Sequence, residues 1–167
     1  KNHVGCWVPY VKGGGSQAWY SPLTLVVNWK KNGEEFWGNL NSSGKVRSNI
    51  WMLRDGIANH FFRPGFSWTR RAVRFIPHII PDGAIPSASR YVAYSQKAND
   101  FVSLCFSASN IAASYFRIYG ERFNHPNYMV ETVKTLPIPP ISNSLSNQLE
   151  KQVEKLVKQM KSRLPFL

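Results

Sequence analysis

The sequence has little cysteine, few acidic residues and no long apolar run. Its two cysteines, Cys6 and Cys105, stand far apart without a CxxC pair, and its four histidines are scattered, so no metal-ligand spacing is present. No run approaches the ~18 apolar residues of a membrane-spanning helix, and no secretory signal opens the chain. We therefore expect no metal, no membrane partner and reduced thiols, as in a bacterial cytoplasm.

The shortage of acidic residues also argues against catalysis. Only nine residues are Asp or Glu. A magnesium-dependent nuclease needs clustered carboxylates with an acid and a Lys two residues apart, but Lys134 follows Glu131 by three in "VETVK". No GxSxG motif marks a serine nucleophile, and neither cysteine lies in a thiol-enzyme signature. The chain is predicted not to be an enzyme by itself.

What the chain has in excess is positive charge. It carries 21 Lys and Arg residues, a net charge of +12 and a pI of about 10.0. A field of that sign attracts polyanions, nucleic acid before anionic membrane. A soluble basic protein without such a partner stays an open alternative. With 43% hydrophobic and 14% aromatic residues, the 167-residue chain can build a core.

Hydrophobic periodicity predicts strands first and helices later. Strand patterns cover residues 23–29, 66–70, 73–80, 89–94 and 129–136, and helical patterns follow Asn99 and run from Ile111 to a stop at Gly120. This order predicts an α+β fold: a strongly bent mixed β-sheet with a packed helical pair, followed by a projecting C-terminal spacer helix.

The tail from Ser142 to Lys161 has a different pattern. Leu149, Val153, Leu156 and Met160 recur at spacings of four, three and four, as in a coiled-coil seam. A seam of about two heptads is too short to be stable alone, so the helix needs a partner helix in the same polypeptide or in another chain. We divide the chain into a recognition domain, residues 1–141, and a helical spacer, residues 142–167, with self-association through the helix as one possibility.

Arginines concentrate between Phe62 and Ile85, in "FRPGFSWTRRAVRFIPHIIPDGAI". The guanidinium fork matches phosphate oxygens and the guanine edge, and nearby hydroxyls can donate to phosphates. His78 adds a positive charge there if it is protonated, and Trp68 is expected in the core. A solvated arginine face is the alternative interpretation of this segment.

The order of several motifs resembles that of a known family. "WYSPLTLVVNWKKNG", "RPGFSWTRRAVRFIPHIIPDGAI" and "NHPNYMVETVKTLPIPPI" with a following helix span nearly the whole chain. Each is loose alone, but their order resembles the target recognition domain of bacterial restriction–modification enzymes. The similarity is strongest to fused adenine-specific methyltransferases of the type IIG and phage-exclusion kinds, with the specificity subunits of type I systems as cousins.

The resemblance implies a DNA-reading module without its own chemistry. Relatives read duplex DNA mainly through the major groove, while a partner methyltransferase domain flips the adenine and methylates it from S-adenosylmethionine. Neither the Asn/Asp-Pro-Pro-aromatic motif nor the glycine-rich cofactor loop of that domain is present, and "IPPI" has no side-chain acceptor at Ile138. We expect no cofactor in this chain and S-adenosylmethionine in the parent enzyme.

Twelve residues are the candidate contacts to double-stranded DNA. They are Lys12, Ser16, Trp19, Tyr20, Lys30, Lys31, Arg63, Ser67, Thr69, Arg70, Arg71 and Arg74. Two positions depart from the family pattern. Ala18 stands where a basic residue is common, which weakens the contact expected there, and "NWKKNG" is basic where relatives are often acidic.

Two other functions remain possible on the sequence. Trp19, Tyr20, Trp29 and Trp68 could serve as stacking platforms of an RNA or single-strand binder. The chain could also be an assembly module that acts through its C-terminal helix.

Overall fold

The computed structural model describes residues 7–12, 17–47, 58–87, 90–94, 100–120 and 126–163. The strands are β1 (Trp7–Val11), β2 (Val26–Asn28), β3 (Gly65–Thr69), β4 (His78–Ile80), β5 (Ile85–Pro86) and β6 (Arg90–Ala93). The helices are α1 (Glu34–Trp37), α2 (Asp100–Ser107), α3 (Asn110–Tyr119), α4 (Val130–Lys134) and α5 (Asn143–Arg163), with 3-10 turns at Lys30–Asn32 and Ala58–His60. The predicted α+β class is confirmed.

The described strands form two small sheets. In the first, β1 lies between β2, with which it is antiparallel, and β5, with which it is parallel. In the second, β3 lies between β4 and β6, and both pairs are antiparallel. A parallel bridge between Trp19 and His78 joins the loop after β1 to the second sheet. The first sheet is therefore mixed, as predicted, whereas the second is antiparallel. The described strands form these two sheets and not a single one.

Strand β3 is covered on both faces. On one face, Phe66 and Trp68 belong to the same core cluster as Leu104 of α2 and Phe116 of α3. On the other face Ser67 is fully buried. Alternation of side chains along a strand sends neighbours to opposite faces, so burial on both sides means that β3 is a central strand of the core.

The helical pair forms as predicted. Ser109 caps α3, its hydroxyl accepting a hydrogen bond from the backbone N–H of Ala112 at 3.2 Å, and the helix ends before Gly120. Asn99, the predicted cap of the first helix, lies outside the described residues. Cys105 on α2 is a free, half-buried thiol, and burial raises its pKa; Cys6 lies outside the described residues.

The predicted strand at 129–136 is wrong. Residues 130–134 form helix α4, which begins after Met129. Its β-branched residues favour a strand locally, but Val130 and Val133 stand three apart, and both pack against the main core cluster. Tertiary contact at helical spacing has overridden the local propensity.

The C-terminal helix has its partner within the chain. Helix α5 packs against α2, and Val153 is only 2% exposed at that contact. The side chain after it on this face is Val157, which packs on the core, whereas Leu156 of the predicted seam is exposed. The predicted helix is confirmed, but it does not project freely; its status as a separate domain stays a prediction.

Candidate nucleic-acid interface

Three exposed arginines lie at the C-terminal end of β3. Arg70, Arg71 and Arg74 follow the last strand residue, Thr69, and all three are exposed. This site is called the arginine end of β3. None of these three side chains is buried in the protein, which leaves guanidinium donors accessible to a ligand.

The backbone under the arginine end is held by the segment before α4. Arg71 forms a β-bridge with Asn127, and the carbonyl oxygen of Arg70 accepts from the N–H of Tyr128 at 2.8 Å. Arg70 also uses its side chain, because its Nε donates to Oδ1 of Asn127 at 3.3 Å. The first two arginines therefore stand on a fixed backbone rather than on a free loop.

Trp68 anchors this end in the core. Its ring is 1% exposed, and its Nε1 donates to the carbonyl oxygen of Tyr128 at 2.9 Å. Phe66, Phe75 and Tyr91 surround it with ring centroids 5.7 to 6.0 Å away. The expected core position of Trp68 is confirmed, and the residue lies within an aromatic cluster two positions before Arg70.

A different arrangement holds Arg63, at the N-terminal end of β3. Its guanidinium carbon lies 5.4 Å from the centroid of the Tyr94 ring, and its Nη1 lies 3.2 Å from Nδ1 of His60. The rings of His60 and Tyr94 are stacked at 5.2 Å. We call Arg63, His60 and Tyr94 the Arg63 cluster. Six residues, of which five form β3, lie between Arg63 and Arg70, which puts the two ends on the order of 20 Å apart.

The candidate lysines lie elsewhere on the surface. Lys12 is exposed after β1, and Lys30 and Lys31 are exposed in the 3-10 turn. Lys31 forms an ion pair with Glu34 at 3.0 Å. Because Glu34 and Glu35 begin α1 directly after this turn, the charge of "NWKKNG" is partly offset locally.

Several candidate contacts are not on an open surface. Ser67 is fully buried, and its hydroxyl donates to the carbonyl oxygen of Tyr91 at 2.9 Å, so its assignment as a DNA contact is wrong for this fold. Tyr20 is only 6% exposed, so its assignment as a DNA contact is wrong for the same reason. Trp19 and Thr69 are half-buried. Ser16 lies outside the described residues.

The possible positive charge of His78 is not present in this fold. Its side chain is 1% exposed, and burial, with the neighbouring Arg90 charge, lowers its pKa to about 3. A hydrogen bond with the backbone of Ile76 opposes this shift only in part. The imidazole is therefore neutral at physiological pH and adds no positive charge to the arginine segment.

Sequence reasoning missed the partner of His78. Arg90 on β6 is 3% exposed, and its Nη1 donates to Nε2 of His78 at 2.7 Å. Burial lowers the pKa of Arg90 to about 10. Its Nε has no hydrogen-bond partner among the described residues. The only sequence signal was its place in a strand pattern whose neighbours are apolar.

The side chain of Ile138, in the "IPPI" segment, has no group that could accept from an adenine amine. Ile138 lies exposed in the proline-rich connection between α4 and α5, where it offers no polar side-chain atom. Within the described ranges, no three His, Cys, Asp or Glu side chains are grouped as metal ligands would be. In the same part of the chain, no helix combines the length and apolarity needed to cross a membrane.

Comparison with known proteins found a sequence similarity to a class of enzyme. The chain is similar to a segment of an adenine-specific methyltransferase. That relative is PglX of Lacticaseibacillus casei (strain Zhang), which is 29% identical over 118 residues, covering 67% of this chain and 9% of PglX. No protein-family model matches the chain. The similarity supports a relationship to a methyltransferase of which this chain matches only a small part.

Proposed function

We propose that this chain is the double-stranded DNA recognition module of a bacterial restriction–modification adenine methyltransferase. The observation that carries the proposal is the arginine end of β3: Arg70, Arg71 and Arg74 lie within five residues of the end of the strand, and all three are exposed. A net charge of +12 favours the approach of a duplex to such a surface. The similarity to PglX supports the link to a methyltransferase.

The module contributes recognition and leaves the chemistry to another part of the enzyme. S-adenosylmethionine and the groups that hold the flipped adenine belong, in this proposal, to the methyltransferase domain of the cytoplasmic parent protein. The sequence lacks both of that domain's motifs. We expect the 167-residue chain to bind no S-adenosylmethionine, and stoichiometric heat in a calorimetric titration would contradict this.

The alternative of a single-strand or RNA binder has less support. That function requires exposed aromatic faces on which bases stack. Tyr20, Trp29 and Trp68 are 6%, 9% and 1% exposed, and Trp19 is half-buried against the core. Three of the four proposed platforms are thus inaccessible to a base without unfolding.

The assembly alternative is weakened as well. It depended on an unpaired C-terminal helix, but α5 packs against α2 in the same chain. Light scattering with and without α5 would still reveal self-association through its exposed face.

The test is the salt dependence of duplex binding by the full-length protein. Replacing Arg70, Arg71 and Arg74 together with Ala should reduce the slope of log affinity against log salt by about 0.9 for each phosphate that is no longer neutralised. The matched control replaces three exposed lysines of α5, Lys151, Lys155 and Lys158, with Ala, which removes the same charge.

The outcomes separate a recognition surface from general charge. A reduction confined to the arginine variant supports the proposal. Equal reductions in both variants indicate attraction by net charge alone and contradict it. A wild-type protein that prefers single strands to duplex at fixed salt overturns the proposal in favour of the single-strand alternative.

A further inference from the structure

The residue before Arg63 has an unusual backbone conformation. Phe62 has φ of +64°, a region that non-glycine residues avoid at a cost of roughly 1–2 kcal/mol. Two hydrogen bonds hold it there, from its N–H to the carbonyl oxygen of Ala84 at 3.1 Å and from the N–H of Gly83 to its own carbonyl oxygen at 3.1 Å. Pro64 restricts Arg63 itself to extended conformations. The position of Arg63 is therefore set by its neighbours and not by its own flexibility.

The side chain of Arg63 also has partners within the chain. The Tyr94 ring lies under the guanidinium, and the stacked His60 ring accepts from Nη1 through Nδ1. Burial raises the pKa of Tyr94 to about 12, so the phenol is neutral and the contact is a cation–π interaction rather than an ion pair. Arg63 itself remains exposed.

Gly65 makes this arrangement possible. A Cβ at that position would lie 2.6 Å from the carbonyl oxygen of Ala93 and 2.7 Å from Cδ1 of Tyr94. The absence of a side chain lets the Tyr94 ring lie against the start of β3. The "RPG" sequence thus builds a platform for one arginine, with Pro64 restricting the chain and Gly65 admitting the ring.

A restrained, exposed arginine suits one kind of contact better than another. A phosphate accepts a guanidinium from many directions, whereas the N7 and O6 atoms of guanine require a bidentate fork in one plane. Backbone strain that the surrounding structure maintains is characteristic of functional positions. Preorganised side chains are also what precise recognition requires.

We propose that Arg63 is a specificity residue that reads a guanine from the major groove. This inference rests on the proposed function, and it assigns the arginine end of β3 to phosphates and the Arg63 cluster to a base. Tyr94 and His60 are positioning residues that orient the fork. The other donors of Arg63, which His60 does not occupy, can reach the base edge.

The experiment selects preferred sequences from a randomised DNA duplex pool with the full-length protein. Wild type should enrich a motif that contains a guanine. Arg63→Ala and Arg63→Lys should both lose the guanine preference at that single position, because Lys keeps the charge but not the fork. Affinity for the wild-type motif should fall about 5- to 150-fold. Tyr94→Leu should weaken the same preference while leaving Arg63 in the chain.

The matched control is Arg74→Ala, which removes an exposed arginine outside the Arg63 cluster. It should weaken binding to all sequences alike and leave the selected motif intact. Melting temperatures of every variant exclude misfolding, and Arg63→Lys is the informative substitution if Tyr94→Leu proves unstable.

Three results would have different meanings. If wild type selects a motif and Arg63→Ala keeps it while binding all sequences more weakly, Arg63 contacts phosphate, and this inference fails while the proposed function stands. If wild type selects no motif and does not bind duplex DNA, the proposed function itself fails. An unchanged motif and affinity in Arg63→Ala would make the Arg63 cluster purely structural.

Discussion

The two ends of strand β3 carry arginines under opposite restraints. At the N-terminal end, Arg63 is fixed by a strained neighbour, an aromatic ring and an imidazole. At the C-terminal end, the backbone is fixed, but the arginine side chains are exposed. The bond from Arg70 to Asn127 is also at the surface. Five strand residues with a mostly buried interior separate the two arrangements. The same residue type therefore has two different environments within one short motif.

Another arginine near the C-terminal end sharpens the contrast. Arg90 lies opposite Thr69 on β6, yet it is almost completely buried and donates to the neutral His78. Burial of a charge is costly unless its donors are satisfied. Arginines close to one another in the fold thus differ from exposed to almost completely buried.

The largest expected effect comes from removing Trp68, which anchors the C-terminal end of β3 in the core. Trp68→Ala deletes a fully buried ring and leaves the carbonyl oxygen of Tyr128 without its donor. We expect the free energy of unfolding to fall by about 3–5 kcal/mol, measured by urea titration of the chain. Trp68→Phe is the control, and it should cost less. A decrease under about 1 kcal/mol for the Ala variant would show that Trp68 does not anchor the core.

The next effect concerns only the N-terminal end. Gly65→Ala forces a methyl group against Ala93 and Tyr94, which must move apart from β3. We expect a cost of about 1–3 kcal/mol, as for overpacked sites, and a displaced Tyr94 ring that no longer supports Arg63. Gly44→Ala tests positive φ without crowding, because nothing lies near its Cβ. Equal stability of wild type and Gly65→Ala would refute the close packing at this end.

A pH titration tests the buried pair. His78 has a folded pKa of about 3, below its ordinary value of 6.5, so the unfolded chain takes up a proton between these values and the folded chain does not. Stability is retained above pH 6.5 and falls as the pH drops, by up to about 1.4 kcal/mol per pH unit. His78→Gln should lack this component of the slope. If wild type and His78→Gln have parallel stability curves between pH 6.5 and about 4.5, the pair is not buried as described.

Much of the fold follows from periodicity, and the exceptions have physical causes. Alternation predicts β3 to within one residue, and the stop at Gly120 predicts the end of α3. The sequence does not indicate strand β1, because Pro9 and the glycines that follow favour a loop. Helix α4 has the β-branched residues of a strand, and they pack at helical spacing only in the folded core.

The candidate site is less predictable because burial depends on contacts far along the chain. Ser67 follows Phe66 in an alternating pattern, which predicts that one of them faces solvent. Both are buried because β3 is central, a fact fixed by β4 and β6, which come later in the sequence. Arg63 is a candidate on the sequence, but its platform is not, since His60 and Tyr94 meet only when β3 pairs with β6.

The smallest effect on stability is expected at Arg70 and Arg71. Both are exposed, and surface substitutions away from special backbone features change stability by within about 0.5 kcal/mol. Arg70→Ala also removes the bond to Asn127, whose length of 3.3 Å and exposed position indicate a weak contribution. The backbone contacts of this segment, from Arg71 to Asn127 and from Tyr128 to Arg70, do not depend on either side chain.

Both single variants should therefore melt close to wild type while binding duplex DNA more weakly. Thermal melts and salt-controlled binding of the full-length protein check the two properties separately. If either variant melts many degrees lower, that arginine supports the fold, and the distinction between a rigid N-terminal end and a solvated C-terminal end fails. If both keep full affinity and specificity, the arginine end of β3 is not a DNA-binding surface.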